Sequence, residues 1–320
     1  MSELASRPLR RPLRGQTPNS ESDPERVVTV RELADEMAAS LAGVNHSKEA
    51  LGEAREMIAA LLDVPRFWPI VNRDAVVDPR TLERAREAIA RRRRGAPVAY
   101  AVGRATFRHL SLVVDERVLI PRPETEQLVE IVLGEVGDTP GGVAIDVGTG
   151  SGAVALALAS EGLFDAVYAT DISRDALAVA GQNLERTRST LRSLVHLAHG
   201  SLLRPVRNLR ARVVVSNPPY IALGEAAALP ASVRDWEPPA ALFSGGDGLA
   251  VTTALIREAA DVLDEGGLLA LEVDTRRASL VAEVAAREAR FGGVTVRLDL
   301  TGRERFVLAR RKERSRDDRG

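Results

Sequence analysis

The feature that most constrains the fold is the alternation of short apolar runs with helical segments from residue 143 onward. The runs predicted as strands are residues 143–147, 167–170, 213–216, 268–273, 294–298 and 306–309. The segments predicted as helices are residues 153–158, 175–184 and 249–263. This alternation is typical of a mostly parallel, doubly wound sheet. The last two strands are joined by a polar link too short for a crossover helix, so we expect them to pair antiparallel.

A small helical domain is predicted ahead of the sheet, over residues 26–96. Thr29 is followed three residues later by a glutamate, which is a capping-box pattern, and apolar residues then recur at helical spacing. A second helix is predicted over residues 48–62. A third begins at the Asp78-Pro79 pair, an N-cap followed by a proline at the first helical position.

Residues 97–121 change to the pattern of a β-hairpin that links two domains. Its strands are predicted on either side of a turn at residues 115–117, and the prolines that follow stop the second strand. Residues 122–310 form the sheet domain. The polar ends of the chain, residues 1–25 and 311–320, are expected to be disordered tails.

Composition excludes several classes of protein. The 320 residues include no cysteine, which rules out disulfides, thiolate metal sites and cysteine nucleophiles. The formal net charge is −1, whereas proteins that hold duplex nucleic acid by counterion release are usually basic. No apolar run approaches the ~20 residues that a membrane span needs. We therefore expect a cytoplasmic protein with no metal, no membrane partner and no stable nucleic-acid partner. We also expect a monomer, although composition does not bear on this.

The first site signal is a glycine-rich segment directly after the first strand of the sheet. Its residues are Gly148, Thr149, Gly150, Ser151 and Gly152. Glycines let the backbone pass close to a ligand and expose N–H groups at the start of a helix. Taken alone, this pattern fits the binding of a nicotinamide cofactor or of a nucleoside.

The second signal is Asp171, which ends the next strand 19 residues after Gly152. A carboxylate at this position can accept hydrogen bonds from both hydroxyls of a ribose. The simpler role, a helix N-cap, is better suited to Ser173. We therefore interpret Asp171 as a ribose-binding residue.

The third signal is the turn formed by Asn217, Pro218, Pro219 and Tyr220 after the strand at residues 213–216. Prolines stiffen the turn and have no N–H, so the Pro218 carbonyl is left as an acceptor beside the Asn217 amide oxygen. Two fixed acceptors suit one planar NH₂ group, and Tyr220 offers a ring face to cover it. Such a nitrogen is a poor nucleophile, so attack on a sulfonium methyl group depends on positioning more than on a strong base.

Together these motifs resemble the peptide chain release factor N5-glutamine methyltransferase family, over about residues 28–310. The matching segments are residues 97–100, Gly103, Phe107, 119–126, 146–152, 171–173, 217–221, 237–238, 241–242 and 302–303. Asn-Pro-Pro-Tyr also occurs in adenine-N6 methyltransferases. The Pro-Arg-Pro-Glu-Thr-Glu sequence at residues 121–126 is the more specific match.

The resemblance implies a seven-stranded, Rossmann-like class I methyltransferase that uses S-adenosylmethionine. The implied substrate is the glutamine of the Gly-Gly-Gln motif in class-1 peptide chain release factors. The implied cofactor contacts are the glycine segment, Asp171, Leu202 and Asn217. Asn217, Pro218 and Tyr220 are the implied catalytic residues, and with Pro219 and Phe107 they are the implied substrate contacts. The segment from Arg122 to Glu124 is expected to line the pocket. The helical domain and the hairpin are expected to bind the release factor.

This chain departs from the family pattern at two places. Ser201 stands where the family usually has an aspartate that accepts at the adenine edge, so lower cofactor affinity is expected. Asp274-Thr275-Arg276 stands where the family often has a glutamine after the strand ending in Glu272. Neither departure touches the Asn-Pro-Pro-Tyr turn.

Other functions compete with this interpretation. Ribosomal-protein glutamine methyltransferases share most of the motifs, and nucleic-acid adenine-N6 methyltransferases share the Asn-Pro-Pro-Tyr turn. A basic face or an added recognition domain would favour a nucleic-acid substrate. A nicotinamide-dependent oxidoreductase leaves Asn217 to Tyr220 unexplained. A cofactor-binding scaffold without activity would not need the paired acceptors of the turn.

Overall fold

The computed structural model describes residues 27–42 and 47–313. The predicted tail at residues 1–25 lies outside the described residues, and so do residues 314–320 of the predicted C-terminal tail. In the described part of the chain, no helix is both long enough and apolar enough to cross a bilayer.

Helices precede the sheet domain, as predicted. They are α1 (Val30–Leu41), α2 (Ser47–Leu62), α3 (Trp68–Val71), α4 (Pro79–Arg93) and α5 (Val98–Val102). The predicted capping box at α1 is confirmed, because Thr29 and Glu32 each bond the other's backbone N–H through their side chains. Asp78 caps α4, with Pro79 at its first position. The apolar faces of α1, α2 and α4 meet in one core, which contains Met37 and Ile58.

The linking hairpin lies earlier in the chain than predicted. Strand β1 (Arg104–Phe107) pairs antiparallel with β2 (Leu110–Val113). The predicted turn forms, since the Asp115 carboxylate accepts from the Arg117 N–H at 3.1 Å, but residues 118–120 form no strand. That part of the prediction was wrong because β2 pairs with the preceding segment instead. Pro121 and Pro123 also lack the backbone N–H groups that a strand continuing from residue 118 would need for pairing.

The sheet domain contains the predicted seven-stranded sheet, in the order β5-β4-β3-β6-β7-β9-β8. Its strands are β3 (Val143–Val147), β4 (Ala166–Asp171), β5 (Leu194–His199), β6 (Ala211–Ser216), β7 (Leu263–Glu272), β8 (Phe291–Leu298) and β9 (Glu304–Arg311). Strands β3 to β7 run parallel. Strand β9 is antiparallel to β7 and β8, as predicted for the last pair. It extends to Arg311, where the tail was expected to begin.

The sheet domain also contains helices. They are α6 (Pro123–Val136), α7 (Ala153–Glu161), α8 (Arg174–Thr187), α9 (Ala231–Arg234), α10 (Pro239–Leu242), α11 (Ala250–Val262) and α12 (Ala278–Arg287). One apolar core joins α6 and α7 to the sheet and to the hairpin. A second core joins α11 and α12 to the opposite face.

The strand order places a candidate site at the carboxyl ends of β3 and β6. The chain leaves β3 toward β4 on one side and later returns to β6 on the other side. Ligands of doubly wound sheets bind in the crevice at such a switch point. The Ser216 hydroxyl donates to the Val147 carbonyl at 2.6 Å, which joins the two strand ends beneath the crevice.

Candidate active site

The glycine segment after β3 adopts a backbone that only glycine accepts easily. Gly148, Gly150 and Gly152 have φ values of 73°, 56° and 85°, all in the left-handed region. The N–H of Gly148 donates to the Thr170 carbonyl at 2.8 Å, which fixes the loop to the end of β4. A Cβ atom at Gly148 or Gly150 would meet nothing within 4 Å. The loop therefore leaves open space beside its backbone.

Asp146 supports this loop from below. Its Oδ2 atom accepts from the Thr149 hydroxyl at 2.6 Å and from the Ala155 N–H at 3.1 Å. Burial raises the pKa of the Asp146 carboxyl to about 7. The Thr149 N–H also donates to the Thr170 carbonyl at 3.0 Å, so both the side chain and the backbone of Thr149 hold the loop in place.

Asp171 lies beside the glycine loop with its carboxylate already oriented. Its Oδ2 atom accepts from the Gly150 N–H at 2.9 Å, and its Oδ1 atom accepts from the Ser173 N–H at 2.8 Å. Ser173 is the N-cap of α8, as the sequence indicated, and accepts from the Ala176 N–H. Each carboxylate oxygen keeps a further lone pair that can accept from a ligand hydroxyl.

The loop after β5 brings Leu202 next to the same strand end. The Gly200 N–H donates to the Asp171 carbonyl at 2.9 Å, and the Thr170 hydroxyl donates to the Leu202 carbonyl at 2.8 Å. Leu202 has a φ of 50°, an uncommon conformation for a leucine. The structure thus brings together the glycine loop, Asp171 and Leu202, which are far apart in sequence.

A residue that the sequence analysis missed connects the hairpin to the glycine loop. Asn183 of α8 is fully buried. Its Nδ2 atom donates to the Ser151 carbonyl at 2.8 Å and to the Val113 carbonyl at 3.0 Å. Its Oδ1 atom accepts from the Val113 N–H at 2.7 Å. An amide side chain at a core position of an amphipathic helix was the available signal, because buried polar groups need partners.

The Asn217–Tyr220 turn presents the acceptors that the sequence predicted. The Asn217 Nδ2 atom donates to the Thr125 hydroxyl at 3.1 Å. Among the described residues, none donates a hydrogen bond to the Asn217 Oδ1 atom or to the Pro218 carbonyl. Both oxygens are therefore available to an incoming NH₂ group.

The Tyr220 hydroxyl is not suited to taking a proton from a ligand at neutral pH. Burial, together with the nearby Glu272 carboxyl, raises the pKa of the Tyr220 phenol to about 12. The hydroxyl therefore stays protonated at neutral pH. Gly248 packs against the Tyr220 backbone, and a Cβ atom at Gly248 would lie 2.5 Å from the Tyr220 carbonyl oxygen.

Two further residues that the sequence analysis did not assign lie behind Asn217. The Thr125 hydroxyl, which contacts Asn217, donates to the Glu272 Oε2 atom at 2.7 Å. Thr125 lies in the first turn of α6, and Glu272 ends β7. The signal was present in the sequence, since Thr125 lies within the Pro-Arg-Pro-Glu-Thr-Glu segment.

Arg122, expected to wall the pocket, forms an ion pair with Glu237. Glu237 is 3% exposed, and its second carboxylate oxygen has no hydrogen-bond partner in the described part of the chain. Phe107, also expected to contact substrate, is fully buried in the core formed with α6 and α7. Leu110 and Leu112 of the hairpin face the same core, and the substrate contact expected for Phe107 stays a prediction.

The structure gives a physical account of the Asp274-Thr275-Arg276 departure. The Arg276 guanidinium bonds both the Asp274 carboxylate and the Glu225 carboxylate, each at 2.9 Å. Arg277 contacts the other Glu225 oxygen at 2.9 Å. Glu225 lies in the segment that follows Tyr220. This charged cluster therefore ties the segment after the turn to the carboxyl end of β7.

Two family models match this chain. The model of the PrmC N-terminal domain matches residues 32–103, and that of the methyltransferase small domain matches residues 125–231. The first match covers most of the helical region. The second match includes the glycine loop, Asp171 and the Asn217–Tyr220 turn.

Curated relatives align along most of the chain. A release factor glutamine methyltransferase of Gloeobacter violaceus is 42% identical over 235 residues, covering 72% of this chain and 82% of that protein. One of Moorella thermoacetica is 38% identical over 286 residues, covering 83% of this chain and 99% of that protein. The solved structure of the hMettl16 catalytic domain shares the fold, with a TM-score of 0.51 and 17% identity over 76% of this chain and 86% of that chain.

Proposed function

This chain belongs to the release factor glutamine methyltransferase family, and from that premise we propose its substrate and the roles of its residues. The proposed reaction moves a methyl group from S-adenosylmethionine to the N5 nitrogen of the Gly-Gly-Gln glutamine in class-1 peptide chain release factors. The observation that carries the proposal is the pair of acceptors after β6, the Asn217 Oδ1 atom and the Pro218 carbonyl. They match the two N–H groups of one glutamine amide.

The residues beside the glycine loop fit S-adenosylmethionine, which supplies a sulfonium methyl group. The open space along the loop suits the methionine part of this cofactor. The preset Asp171 carboxylate suits the two ribose hydroxyls. Leu202, held against the end of β4, suits the adenine. Ser201 can still accept a hydrogen bond at the adenine edge.

In the proposed step, Asn217 and Pro218 hold the glutamine amide so that its nitrogen points at the methyl carbon. Accepting from both N–H groups raises the electron density on the nitrogen. The N–C bond forms as the S–C bond breaks, and the methylated nitrogen then loses one proton to water. Tyr220 covers the amide plane and stays protonated, which agrees with catalysis by positioning rather than by a strong base.

The helical region supports the proposal of a protein substrate. Four large apolar side chains near α3 are exposed, namely Phe67 at 70%, Ile70 at 48%, Val71 at 80% and Val76 at 65%. These side chains lie within ten positions of one another in the sequence, and a concentration of exposed apolar residues is typical of an interaction site. We propose that the helical region and the hairpin dock the release factor, while the turn binds only the glutamine side chain. We also propose that the protein acts in the cytoplasm, as a monomer.

A labelling experiment tests the proposed function. The protein is incubated with methyl-labelled S-adenosylmethionine and a purified class-1 release factor, a ribosomal protein or DNA. We expect label on the release factor alone, and loss of label when its Gly-Gly-Gln glutamine is replaced by alanine. The Asn217→Ala variant is the matched control for enzyme-dependent labelling. Label on the ribosomal protein or on DNA would instead support one of the competing functions.

A further inference from the structure

We propose that Thr125 and Glu272 are positioning residues that decide which end of the Asn217 side-chain amide faces the substrate. This inference rests on the proposed function, because it assigns the Asn217 Oδ1 atom to the glutamine NH₂ group. The three side chains come from three separate elements: the start of α6, the end of β7 and the turn after β6. They form one continuous line of hydrogen bonds behind the catalytic turn.

The direction of donation along this line follows from the chemistry of its ends. An ionised carboxylate only accepts hydrogen bonds, so the single Thr125 hydroxyl proton goes to the Glu272 Oε2 atom, at 2.7 Å. The Thr125 oxygen can then only accept from its other neighbour. The Asn217 amide must therefore turn its NH₂ group toward Thr125, at 3.1 Å. Its carbonyl oxygen is left to accept from a ligand.

The opposite orientation would oppose the proposed reaction. A reversed Asn217 amide would present N–H donors to the N–H donors of the glutamine. Thr125 and Glu272 are 5% and 1% exposed, so water cannot readily replace either group in the line. As long as Glu272 is ionised, the orientation of the Asn217 amide is thus fixed before any substrate binds.

The charge of Glu272 sets this orientation, and several groups act on that charge. Arg305 of β9 and Arg122 before α6 favour the ionised carboxylate, and Glu124 of α6 opposes it. The Tyr220 phenol faces it from the turn. Burial outweighs the cations and raises the pKa of the Glu272 carboxyl to about 7. Below that pH a protonated Glu272 can donate to the Thr125 hydroxyl. The Thr125 hydroxyl can then donate to Asn217, so the orientation of the Asn217 amide is no longer fixed.

Release factor methylation by three threonine variants tests the inference. Thr125→Val keeps the shape of the side chain and removes the hydroxyl, whereas Thr125→Ser keeps the hydroxyl. We expect Thr125→Val to lower kcat by about 10- to 100-fold, with little change in KM for S-adenosylmethionine, and Thr125→Ser to recover most of the loss. Thr187→Val, which removes another buried hydroxyl at the end of α8, is the matched control and is expected to keep full kcat. Equal kcat for the valine and serine variants at position 125 would overturn the inference.

The pH profile separates orientation from simple packing. The wild-type kcat is expected to fall as pH drops below about 7, following protonation of Glu272. Glu272→Gln cannot ionise but can still accept from Thr125, so this decline should be absent in the variant. A decline that persists in Glu272→Gln would belong to another buried carboxyl, such as Asp146, and would overturn the role assigned to Glu272.

A measurement without release factor keeps the inference testable if the proposed substrate is wrong. The side-chain NH₂ signals of Asn217 can be identified in a nitrogen–proton NMR spectrum by their absence in Asn217→Ala. We expect these signals to shift with the Glu272 titration in the wild type and to lose that response in Thr125→Val. No titration in the wild type, or the same titration in Thr125→Val, would refute the coupling. A wild-type protein that shows the coupling but labels no release factor would refute the proposed function alone.

Discussion

Replacing Gly248 by alanine should slow the proposed reaction while leaving the protein folded. Gly248 has a φ of 78°, and its added Cβ atom would lie 2.5 Å from the Tyr220 carbonyl oxygen and 2.7 Å from the Arg277 Nε atom. Ordinary contacts at such a carbon begin at 3.4 Å. Gly248 and the Tyr220 carbonyl must therefore move apart, and we expect this to displace the turn that carries Asn217 and Tyr220.

The magnitude follows from two separate contributions. A left-handed conformation costs a non-glycine residue about 1–2 kcal/mol, which lowers the free energy of unfolding. Relieving the contact requires a shift of roughly 1 Å, and a misplacement of that size can reduce a reaction rate about 100-fold. Gly266 separates the two contributions, since it has a φ of 75° but its Cβ atom would meet nothing within 4 Å.

The assay compares Gly248→Ala with Gly266→Ala. Thermal unfolding should show a lower melting temperature for both variants than for the wild type, because both carry the backbone strain. Methylation of a release factor should show a fall in kcat/KM of about 100-fold for Gly248→Ala and none for Gly266→Ala. Equal activities in the two variants would show that the position of the Tyr220 carbonyl does not govern the reaction, and the role of the turn would have to be revised.

Three further outcomes are expected. Asp171→Ala should weaken S-adenosylmethionine binding by roughly 10- to 150-fold, the effect of losing a charge-assisted hydrogen bond of about 1.5–3 kcal/mol, and calorimetry measures it. Tyr220→Phe should be nearly as active as wild type in single-turnover assays while Tyr220→Ala is slow; equal damage would indicate that the hydroxyl takes part in the chemistry. Val71→Ser should raise KM for the release factor roughly tenfold by removing buried apolar contact. Leu300→Ser, at a residue that is 89% exposed on the β8–β9 link, should leave that KM unchanged.

The sequence predicted the elements whose signals are local. The capping residues Thr29, Asp78 and Ser173 each lie where a helix begins. The buried parallel strands were visible as apolar runs. Strand β5 was missed because its alternation includes the polar residues His196 and His199, as is usual for an edge strand with one open face.

The parts that sequence could not supply depend on contacts between distant residues. Phe107 falls within a matching motif, which does not show that its side chain packs in a core with α6 and α7. Thr125 and Glu272 are 147 positions apart, and nothing local indicates that their side chains meet. Asn183 contacts two backbone segments that no periodicity connects to it. Tertiary packing alone establishes these pairings.

The three hydrogen bonds of Asn183 connect the hairpin, at Val113, to the glycine loop, at Ser151. We therefore expect a molecule that orders the loop also to order the hairpin, and a molecule that orders the hairpin also to order the loop. Thermodynamic linkage requires the two benefits to be equal in free energy. The same reciprocity applies after the methyl group has moved. We therefore expect the demethylated cofactor and the methylated protein each to bind more tightly when the other is present.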